Sequence, residues 1–175
     1  MSDVEGRDGG WQNQLYELLR KAGITIFSFV PDGGHKILIN RAEADDAVTA
    51  VTLTNEAEGV ALAAGANLGG AKSVLLQQSS GVGNCINLLS LIQHGRFPFL
   101  TIVSMRGDFG EGNPWQMAMG RGAEPCLTAM GVTCLTITHK DEVIETATAA
   151  LTMAFQSGQA VAILLSQRLI GAKPF

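Results

Sequence analysis

Short apolar runs alternate with segments of helical periodicity along the chain, and this order limits the folds open to it more than any other feature. Six runs have the length and β-branched composition of strands buried on both faces: residues 24–30, 48–53, 73–77, 99–104, 132–137 and 161–165. Between them apolar residues recur at helical spacing, as in residues 11–22 and 141–156. The pattern predicts an α/β fold with a single doubly wound parallel six-stranded sheet and helices on both faces.

One domain accounts for this pattern, because 175 residues leave room for one substantial core and little more. Residues 1–10 are polar and contain three glycines, so we expect a flexible N-terminus there and the domain at residues 11–175. Charged residues make up only 16% of the chain, which is low for a lone soluble monomer and favours an oligomer.

Charge and hydropathy argue against nucleic-acid and membrane partners. The formal net charge is −4, and no cluster of Lys and Arg forms a basic footprint. No apolar run approaches the roughly 18 residues of a membrane span, and the N-terminus lacks the basic and apolar regions of a signal peptide. We therefore expect a cytoplasmic protein.

The cysteines and histidines follow no disulfide or metal-site pattern, so we expect buried thiols and no metal bound by this chain alone. The cysteines are Cys85, Cys126 and Cys134. Ile86 stands where a dinucleotide fingerprint begun at Gly81 needs its third glycine. Ala71 separates Gly70 from Lys72, where a phosphate loop needs an unbroken Gly-Lys pair. A Rossmann dehydrogenase and a kinase or ATPase are both disfavoured.

The sharpest chemical signal lies in residues 53–59, where a predicted strand ends and a helix begins with two carboxylates in its first turn. Asn55 suits the N-cap, and Glu58 at the third helical position can reach back to it in a capping box. Glu56 lies at the strand-to-helix junction, where open α/β sheets place ligand groups. Glu56 is therefore either a site residue or an acid that favours the helix dipole, and spacing leaves both open.

The helix that follows Glu56 has almost no bulky side chain on any face, since residues 57–66 are mostly alanine and glycine. Another element must approach such a helix closely. That element is either the domain's own sheet or a second subunit that self-associates through this helix.

Two loops at predicted carboxyl ends of strands, residues 31–36 and 105–115, carry cationic and polar side chains. Long loops inside compact domains are usually functional, and the second loop is the longest irregular stretch in the chain. Ordinary solvated loops would have a similar composition, so the pattern alone leaves both interpretations open.

Three segments at these strand ends, residues 54–65, 78–84 and 104–116, resemble the pyrimidine-binding domain of thiamine diphosphate-dependent decarboxylases. Within that group the chain is most similar to sulfopyruvate decarboxylase alpha subunits, with phosphonopyruvate decarboxylases as near relatives. The resemblance extends from Trp11 to Leu165. It implies the thiamine diphosphate-binding fold and a carboxy-lyase that releases carbon dioxide from a 2-oxo acid.

The resemblance also implies roles for single residues. Glu56 would hydrogen-bond the ring nitrogen of the cofactor's aminopyrimidine and so promote loss of the proton from the cofactor's reactive carbon. The turn after the third strand would complete the cofactor site with Gln78, Ser79, Gly81 and Asn84. A non-catalytic regulatory subunit would not need Glu56, which argues against that alternative.

A substrate such as sulfopyruvate, which would give sulfoacetaldehyde, carries two anions and needs cationic or N–H donors facing it. The two loops offer His35, Lys36 and Arg106, with Arg121 as a further candidate. Arg106 could instead pair only with an acid of its own loop, Asp108 or Glu111. The family often has serine in the turn after Pro-Asp, whereas Gly33 and Gly34 stand there in this chain.

The family's diphosphate-binding domain carries a Gly-Asp-Gly motif and a later Asn that ligate Mg²⁺. The single Gly-Asp in this sequence, Gly107-Asp108, is followed by Phe109, and Asn113 lies too near to be that ligand. We therefore expect a separate beta subunit to hold the diphosphate and most of the Mg²⁺ coordination, in a hetero-oligomer. A phosphonopyruvate decarboxylase subunit remains the alternative within the same chemistry.

Overall fold

The protein is described here by a computed structural model that covers residues 10–172. Its strands are β1 (Ile24–Phe29), β2 (Thr49–Thr52), β3 (Lys72–Gln78), β4 (Phe99–Ser104), β5 (Thr133–Ile137) and β6 (Ala160–Leu165). They form one all-parallel sheet in the order β2-β1-β3-β4-β6-β5, which confirms the predicted fold class. The flexible N-terminus predicted for residues 1–10 lies, apart from Gly10, outside the described residues.

Helices follow the strands as the sequence predicts. They are α1 (Trp11–Lys21), α2 (Lys36–Glu43), α3 (Glu56–Leu68), α4 (Ser79–Cys85), α5 (Leu89–Gly95), α6 (Pro114–Ala129), α7 (Val143–Phe155) and α8 (Gln167–Ile170), with single 3-10 turns at Gly33–His35 and Lys140–Glu142. Pro125, a possible break in the sequence pattern, lies inside α6 and does not end it. Within residues 10–172, no helix combines the length and the apolar character that crossing a membrane requires.

The sheet separates two apolar cores because successive strand residues point to opposite faces. On β3, Leu76 packs into the core that α1, α2 and α7 cover, whereas Leu75 packs into the core beneath α3, α4, α5 and α6. Strands β4 and β6 are interior strands of the sheet, and each of their residues is buried. Helices therefore cover both faces of the sheet.

The strand order places a crevice at the carboxyl ends of β1 and β3. The chain leaves β1 towards β2 on one side of the sheet, whereas it leaves β3 towards β4 on the other side. Neighbouring strands whose connections diverge in this way form the topological switch point, where open α/β sheets bind ligands. The loop that begins at Pro31 and the segment that begins at Gln78 meet at this point.

The segment after β3 differs from the polar turn that the sequence suggested. β3 runs directly into α4, so residues 79–85 are helical despite two glycines. Tertiary packing explains one of them: a Cβ at Gly81 would come within 2.4 Å of Glu56, whereas one at Gly83 would lie at an ordinary contact distance of 3.5 Å from Met119. The contact with Glu56 therefore requires glycine at position 81 despite its low helix propensity.

The small residues of α3 do pack closely against the domain's own sheet, one of the two alternatives from the sequence. A Cβ at Gly59 would lie 2.4 Å from Leu75 and 2.9 Å from Leu53, so only glycine allows this approach. The opposite face of the helix is exposed, and nothing lies within 4 Å of a Cβ built at Gly65. Leu68 at the end of α3 is 77% exposed.

The cysteines are only partly as predicted. Cys85 is fully buried in the core beneath α4, as expected of a small apolar residue. Cys126 and Cys134 are partly exposed, which corrects the expectation of three buried thiols. Cys126 lies on α6 near its end, and Cys134 lies on the edge strand β5, so neither position is covered on every side.

Candidate active site

Helix α3 begins at Glu56 because the residues before it satisfy its free N–H groups. The Asn55 side chain accepts a hydrogen bond from the Ala57 N–H at 2.9 Å, as predicted for an N-cap. Glu58 reaches back one residue further than the cap, since its carboxylate accepts the Thr54 N–H at 3.0 Å and the Thr54 hydroxyl at 2.5 Å. The hydroxyl of Thr54 is the main cause that lowers the pKa of Glu58. Glu58 therefore has a structural role.

Glu56 points the other way, into the crevice, and is 9% exposed. Its Oε2 accepts a hydrogen bond from the side-chain amide of Asn84 at 2.8 Å. Its Oε1 lies against Gly81 and makes no hydrogen bond within residues 10–172. The carboxyl group thus has one oxygen held in place and one oxygen open to a ligand.

Asp32, in the loop after β1, is the centre of a second polar cluster. Its carboxylate accepts hydrogen bonds from the Gly34 N–H at 3.0 Å, the Ser104 hydroxyl at 2.5 Å and the Gln78 amide at 2.9 Å. Burial alone would raise the pKa of Asp32, but the hydrogen bonds from the Ser104 hydroxyl, the Gln78 amide and the Gly34 N–H outweigh it and lower that pKa. Asp32 therefore stays ionised and ties the ends of β1, β3 and β4 together.

His35 and Lys36 occupy different environments, although the sequence grouped them as cationic candidates. His35 is 1% exposed, and its Nε2 lies 3.0 Å from the Gln77 carbonyl oxygen. Burial lowers the pKa of His35, so the ring is neutral. The ring lies beneath its loop, although the sequence predicted that the loop would present it to the substrate. Lys36 is exposed at the start of α2, where it lines an open cavity of about 430 Å³ together with Asp32.

Arg106 follows β4 and is paired with Glu111, one of the alternatives that the sequence left open. The guanidinium donates from Nε to Oε2 at 2.6 Å and from Nη2 to Oε1 at 2.8 Å, and the Arg106 side chain is 10% exposed. This fork lowers the pKa of Glu111 to about 2, with the hydrogen bond from Arg106 as the largest cause. Nη1 makes no hydrogen bond within the described residues and is the donor left for a ligand.

Ser79 connects α4 to the loop that follows β4. Its hydroxyl accepts the backbone N–H of Arg106 at 3.0 Å, and Ser79 is the first residue of α4, the helix that also carries Gly81 and Asn84. The Gln78 side-chain amide donates to Asp32 and so links the end of β3 to the loop after β1. The residues that the sequence placed at the cofactor besides Glu56 therefore lie at the end of β3, with Gln78, and on α4, with Ser79, Gly81 and Asn84.

Helix α8, which the sequence analysis missed, fastens the loop after β4. Gln167 is 1% exposed; its Oε1 accepts the N–H groups of Asp108 and Phe109 at 3.1 and 3.2 Å, and its Nε2 donates to Glu111 at 3.0 Å. The Ser166 hydroxyl donates to Asp108 at 2.8 Å. The Ser-Gln pair at the end of the last strand was a possible signal, because polar residues there lie at the same edge of the sheet as the other site residues.

The same loop approaches α6 backbone to backbone. A Cβ at Gly120 would lie 2.3 Å from the Arg106 carbonyl oxygen, and one at Gly107 would lie 2.4 Å from the Gln116 carbonyl oxygen. Arg121 is exposed and lines an open cavity of about 540 Å³ beside this loop, so the structure does not bring it to Glu56. At the start of α6, Trp115 is 84% exposed.

The arrangement therefore has two parts along one crevice, a carboxyl group with a free oxygen and an anion-pairing cluster around Arg106. Among residues 10–172 there is no group of three His, Cys, Asp or Glu side chains that could hold a metal ion.

Comparison with curated proteins identifies relatives along nearly the whole chain. The chain is 32% identical over 152 residues to the sulfopyruvate decarboxylase subunit alpha of Methanococcus maripaludis, which covers 86% of this chain and 91% of the relative. It is 42% identical over 101 residues to the phosphonopyruvate decarboxylase of Streptomyces viridochromogenes. That aligned region covers 57% of this chain but only 25% of the longer relative. No protein-family model matches the chain.

A solved structure supports the fold. The match to a Mycobacterium smegmatis protein, provisionally assigned as a thiamin diphosphate-dependent enzyme, has a TM-score of 0.67 and 17% sequence identity. It covers 90% of this chain and 30% of the other, so this chain corresponds to less than a third of that protein.

Proposed function

This chain belongs to the family of sulfopyruvate decarboxylase alpha subunits, and on that basis we propose that it is one subunit of a thiamine diphosphate-dependent sulfopyruvate decarboxylase. The product would be sulfoacetaldehyde, with release of carbon dioxide. Support comes from family membership, from the fold, and from the carboxyl group of Glu56 with its free oxygen at the switch point of the sheet.

Glu56 is the observation on which the proposal mainly depends. Asn84 fixes one carboxyl oxygen, and the missing side chain at Gly81 lets the other, Oε1, pack against α4 without a hydrogen-bond partner among the described residues. Oε1 would then contact the planar ring of a cofactor. These residues fit the pyrimidine of thiamine diphosphate: Glu56 would exchange a proton with its ring nitrogen, a general acid–base role. When bound, the cofactor would stabilise the electron pair that stays on the substrate carbon when carbon dioxide leaves.

The remaining cofactor contacts follow from α4. We propose that Gln78 and Ser79 hold the rim of the crevice, because their side chains are already fixed by Asp32 and the Arg106 backbone. Gly81 and Asn84 would then shape the pocket next to Glu56. A fixed rim reduces the loss of side-chain entropy when the cofactor binds.

A second subunit completes this proposal. The relatives are named as alpha subunits, and the described residues offer no metal-binding cluster for a diphosphate-bound Mg²⁺. We propose that a beta subunit holds the diphosphate and Mg²⁺ and covers the crevice. Copies of this chain would self-associate through the exposed face of α3, where Ala61 and Gly65 allow close approach.

The substrate proposal uses the Arg106 side of the crevice. Arg106 would donate from Nη1 to the second anion of the substrate, and Lys36 would add positive charge from the exposed start of α2. His35 is neutral, so its contribution would be to support the Asp32 loop from beneath. Phosphonopyruvate is the second candidate substrate, since the phosphonopyruvate decarboxylase relative matches at higher identity over a shorter region.

The test is a reconstituted activity assay. The chain is combined with its candidate beta subunit, thiamine diphosphate and Mg²⁺, and carbon dioxide release is measured with sulfopyruvate, phosphonopyruvate and pyruvate. A preference for sulfopyruvate supports the proposal. A preference for phosphonopyruvate corrects the substrate, a preference for pyruvate removes the anion pocket, and no turnover with any 2-oxo acid favours a non-catalytic subunit.

A further inference from the structure

We infer that Glu111 is a specificity-determining residue, which makes the site prefer a singly charged sulfonate over a doubly charged phosphonate on the substrate. The inference rests on the proposed function and deepens it, because it assigns the choice between two anions to one side chain. Glu111 does not need to touch the substrate for this role, since it acts through the charge of Arg106.

The Arg106 guanidinium would meet a substrate as half of an ion pair. Glu111 occupies its Nε and Nη2 donors, which leaves Nη1. Two further hydrogen bonds hold Glu111 in this position: its Oε1 accepts the Asn113 N–H at 2.9 Å and its Oε2 accepts the Gln167 amide at 3.0 Å. The Glu111 side chain is 1% exposed, so it cannot turn away when an anion arrives.

The charges around the pair do not compensate for Glu111. Asp32 lies on the sheet side, close enough to contribute to the raised pKa of Arg106 after the larger effect of Glu111. Asp108, in the same loop, is bonded to Ser166 and Gln167 at the start of α8. Two anions, Asp32 and Glu111, therefore face one cation, Arg106, on this side of the crevice.

The remaining cations are exposed to solvent. Arg168 on α8 stacks on the Phe109 ring, with its guanidinium carbon 4.0 Å from the ring centroid. Arg121 on α6 lines the same open cavity as Glu111, and Lys36 lies at the start of α2; water and salt weaken the attraction of these exposed charges for an anion, whereas the buried Glu111 is screened less. An incoming dianion thus gains one donor and meets uncompensated negative charge, whereas a monoanion meets less repulsion.

The size of the effect can be bounded. At an effective dielectric near 20, one unit charge acting on another across a distance on the order of 10 Å changes the relative affinity for a dianion by roughly tenfold. Glu111, with a pKa of about 2, remains ionised at neutral pH. The phosphonate, in contrast, takes up a proton near pH 6, as phosphate monoesters do, and then carries the same charge as a sulfonate.

Two probes isolate the anion: 3-sulfopropanoate and 3-phosphonopropanoate keep both acidic ends of the substrates and lack the keto group. Their binding to the reconstituted enzyme is measured by calorimetry at pH 8 for the unmodified chain and for Glu111→Gln, which keeps the size and removes the charge. We expect the unmodified enzyme to prefer the sulfonate, and Glu111→Gln to reduce that preference about tenfold.

The control is Gln167→Leu, which leaves the charge unchanged and removes the side-chain hydrogen bonds to Glu111 and to the N–H groups of Asp108 and Phe109, so its melting temperature is measured as well. It should weaken both probes by similar factors and leave their ratio unchanged. Should Glu111→Gln fail to fold, the unmodified enzyme still tests the inference, because its preference for the sulfonate should shrink as pH falls from 8 to 5.5.

Three outcomes would each overturn the role of Glu111. They are an unchanged ratio of sulfonate to phosphonate affinity in folded Glu111→Gln, a ratio in the unmodified enzyme that does not depend on pH, and a preference of the unmodified enzyme for the phosphonate. These outcomes leave the proposed function standing. Loss of turnover of every 2-oxo acid in the assay above overturns the proposed function and this inference together.

Discussion

The carboxyl group of Glu56 lies directly over the backbone of Gly81. A Cβ built at residue 81 would come within 2.4 Å of Oε1 and 2.5 Å of the carboxyl carbon. The two residues belong to different helices, so this contact sets how closely α3 and α4 approach each other at the open end of the crevice. Any side chain at position 81 must displace Glu56 or move α4.

Gly81→Ala should therefore lower the activity of the reconstituted enzyme by more than about tenfold, because it displaces the proposed proton-exchanging group. The helix itself should persist, since alanine favours helices by roughly 0.5–1 kcal/mol relative to glycine. Steady-state kinetics and circular dichroism measure the two effects. Gly122→Ala in α6 is the matched control, because the nearest atom to its Cβ would be the Met119 sulfur at 3.9 Å, an ordinary contact; equal activity in both variants would contradict the packing argument.

Glu56→Gln should reduce decarboxylation by roughly a hundredfold or more with little change in melting temperature, because it removes a proton-exchanging group and keeps its size. Glu58→Gln should keep most of the activity, since glutamine can still accept the Thr54 N–H. The assay is carbon dioxide release under saturating cofactor. Comparable losses in the two variants would show that the division of roles between these carboxylates is mistaken.

The chain alone should show no turnover and only weak thiamine diphosphate binding by calorimetry, with or without Mg²⁺. The reason is that the described residues contain no metal-binding cluster that would anchor a diphosphate. Addition of the beta subunit should produce both activity and Mg²⁺-dependent binding. Tight Mg²⁺-dependent binding by the isolated chain would rule out a site shared between subunits.

Arg106→Ala should raise the KM for sulfopyruvate at least about tenfold, while the affinity for the cofactor changes little. Glu111 becomes an unpaired buried acid in this variant, so the melting temperature must be measured beside the kinetics. Arg168→Ala is the control, because this exposed arginine contacts Phe109 and lies outside the proposed site. An unchanged KM would mean that Arg106 only shapes its loop.

The Arg106–Glu111 pair should also make stability depend on pH in acid. The pKa of Glu111 falls from its usual 4.5 to about 2 in the folded chain, so its ionised form stabilises the fold above pH 4.5. That contribution should disappear progressively as the pH falls from 4.5 towards 2. Melting temperatures of the unmodified chain and Glu111→Gln should therefore converge in this range, and a gap that stays constant would contradict the assignment.

The sheet was predictable because its strands are continuous apolar runs that few other structures can accommodate. The run ending at Ser104 matches β4 without error, and the helix after Asn55 begins where its capping residue indicates. The alternation of strand and helix patterns also determines the order of the elements along the chain. Strand order across the sheet follows from this alternation only in part, since the crossing of β5 and β6 depends on tertiary packing.

The parts that escaped prediction depend on contacts between residues distant in sequence. Residues 79–85 look like a turn because of their glycines, yet they form a helix, and Gly81 is required there by the nearby Glu56. His35 looks like a loop cation, yet the Asp32 turn folds over it and removes it from solvent. Gln167 is one polar residue after a strand, and its four loop contacts involve residues about 60 positions away.

The exposed indole of Trp115 gives this protein an intrinsic optical reporter. The chain contains two tryptophans, and Trp11 packs against the core and should emit at shorter wavelength. Trp115 is 84% exposed at the start of α6, on the helix whose Met119 lies against Gly83 and hence next to the crevice. Fluorescence from Trp115, isolated by a Trp11→Phe change, would shift to the blue if a subunit covered this region, so assembly could be followed in real time without an added dye.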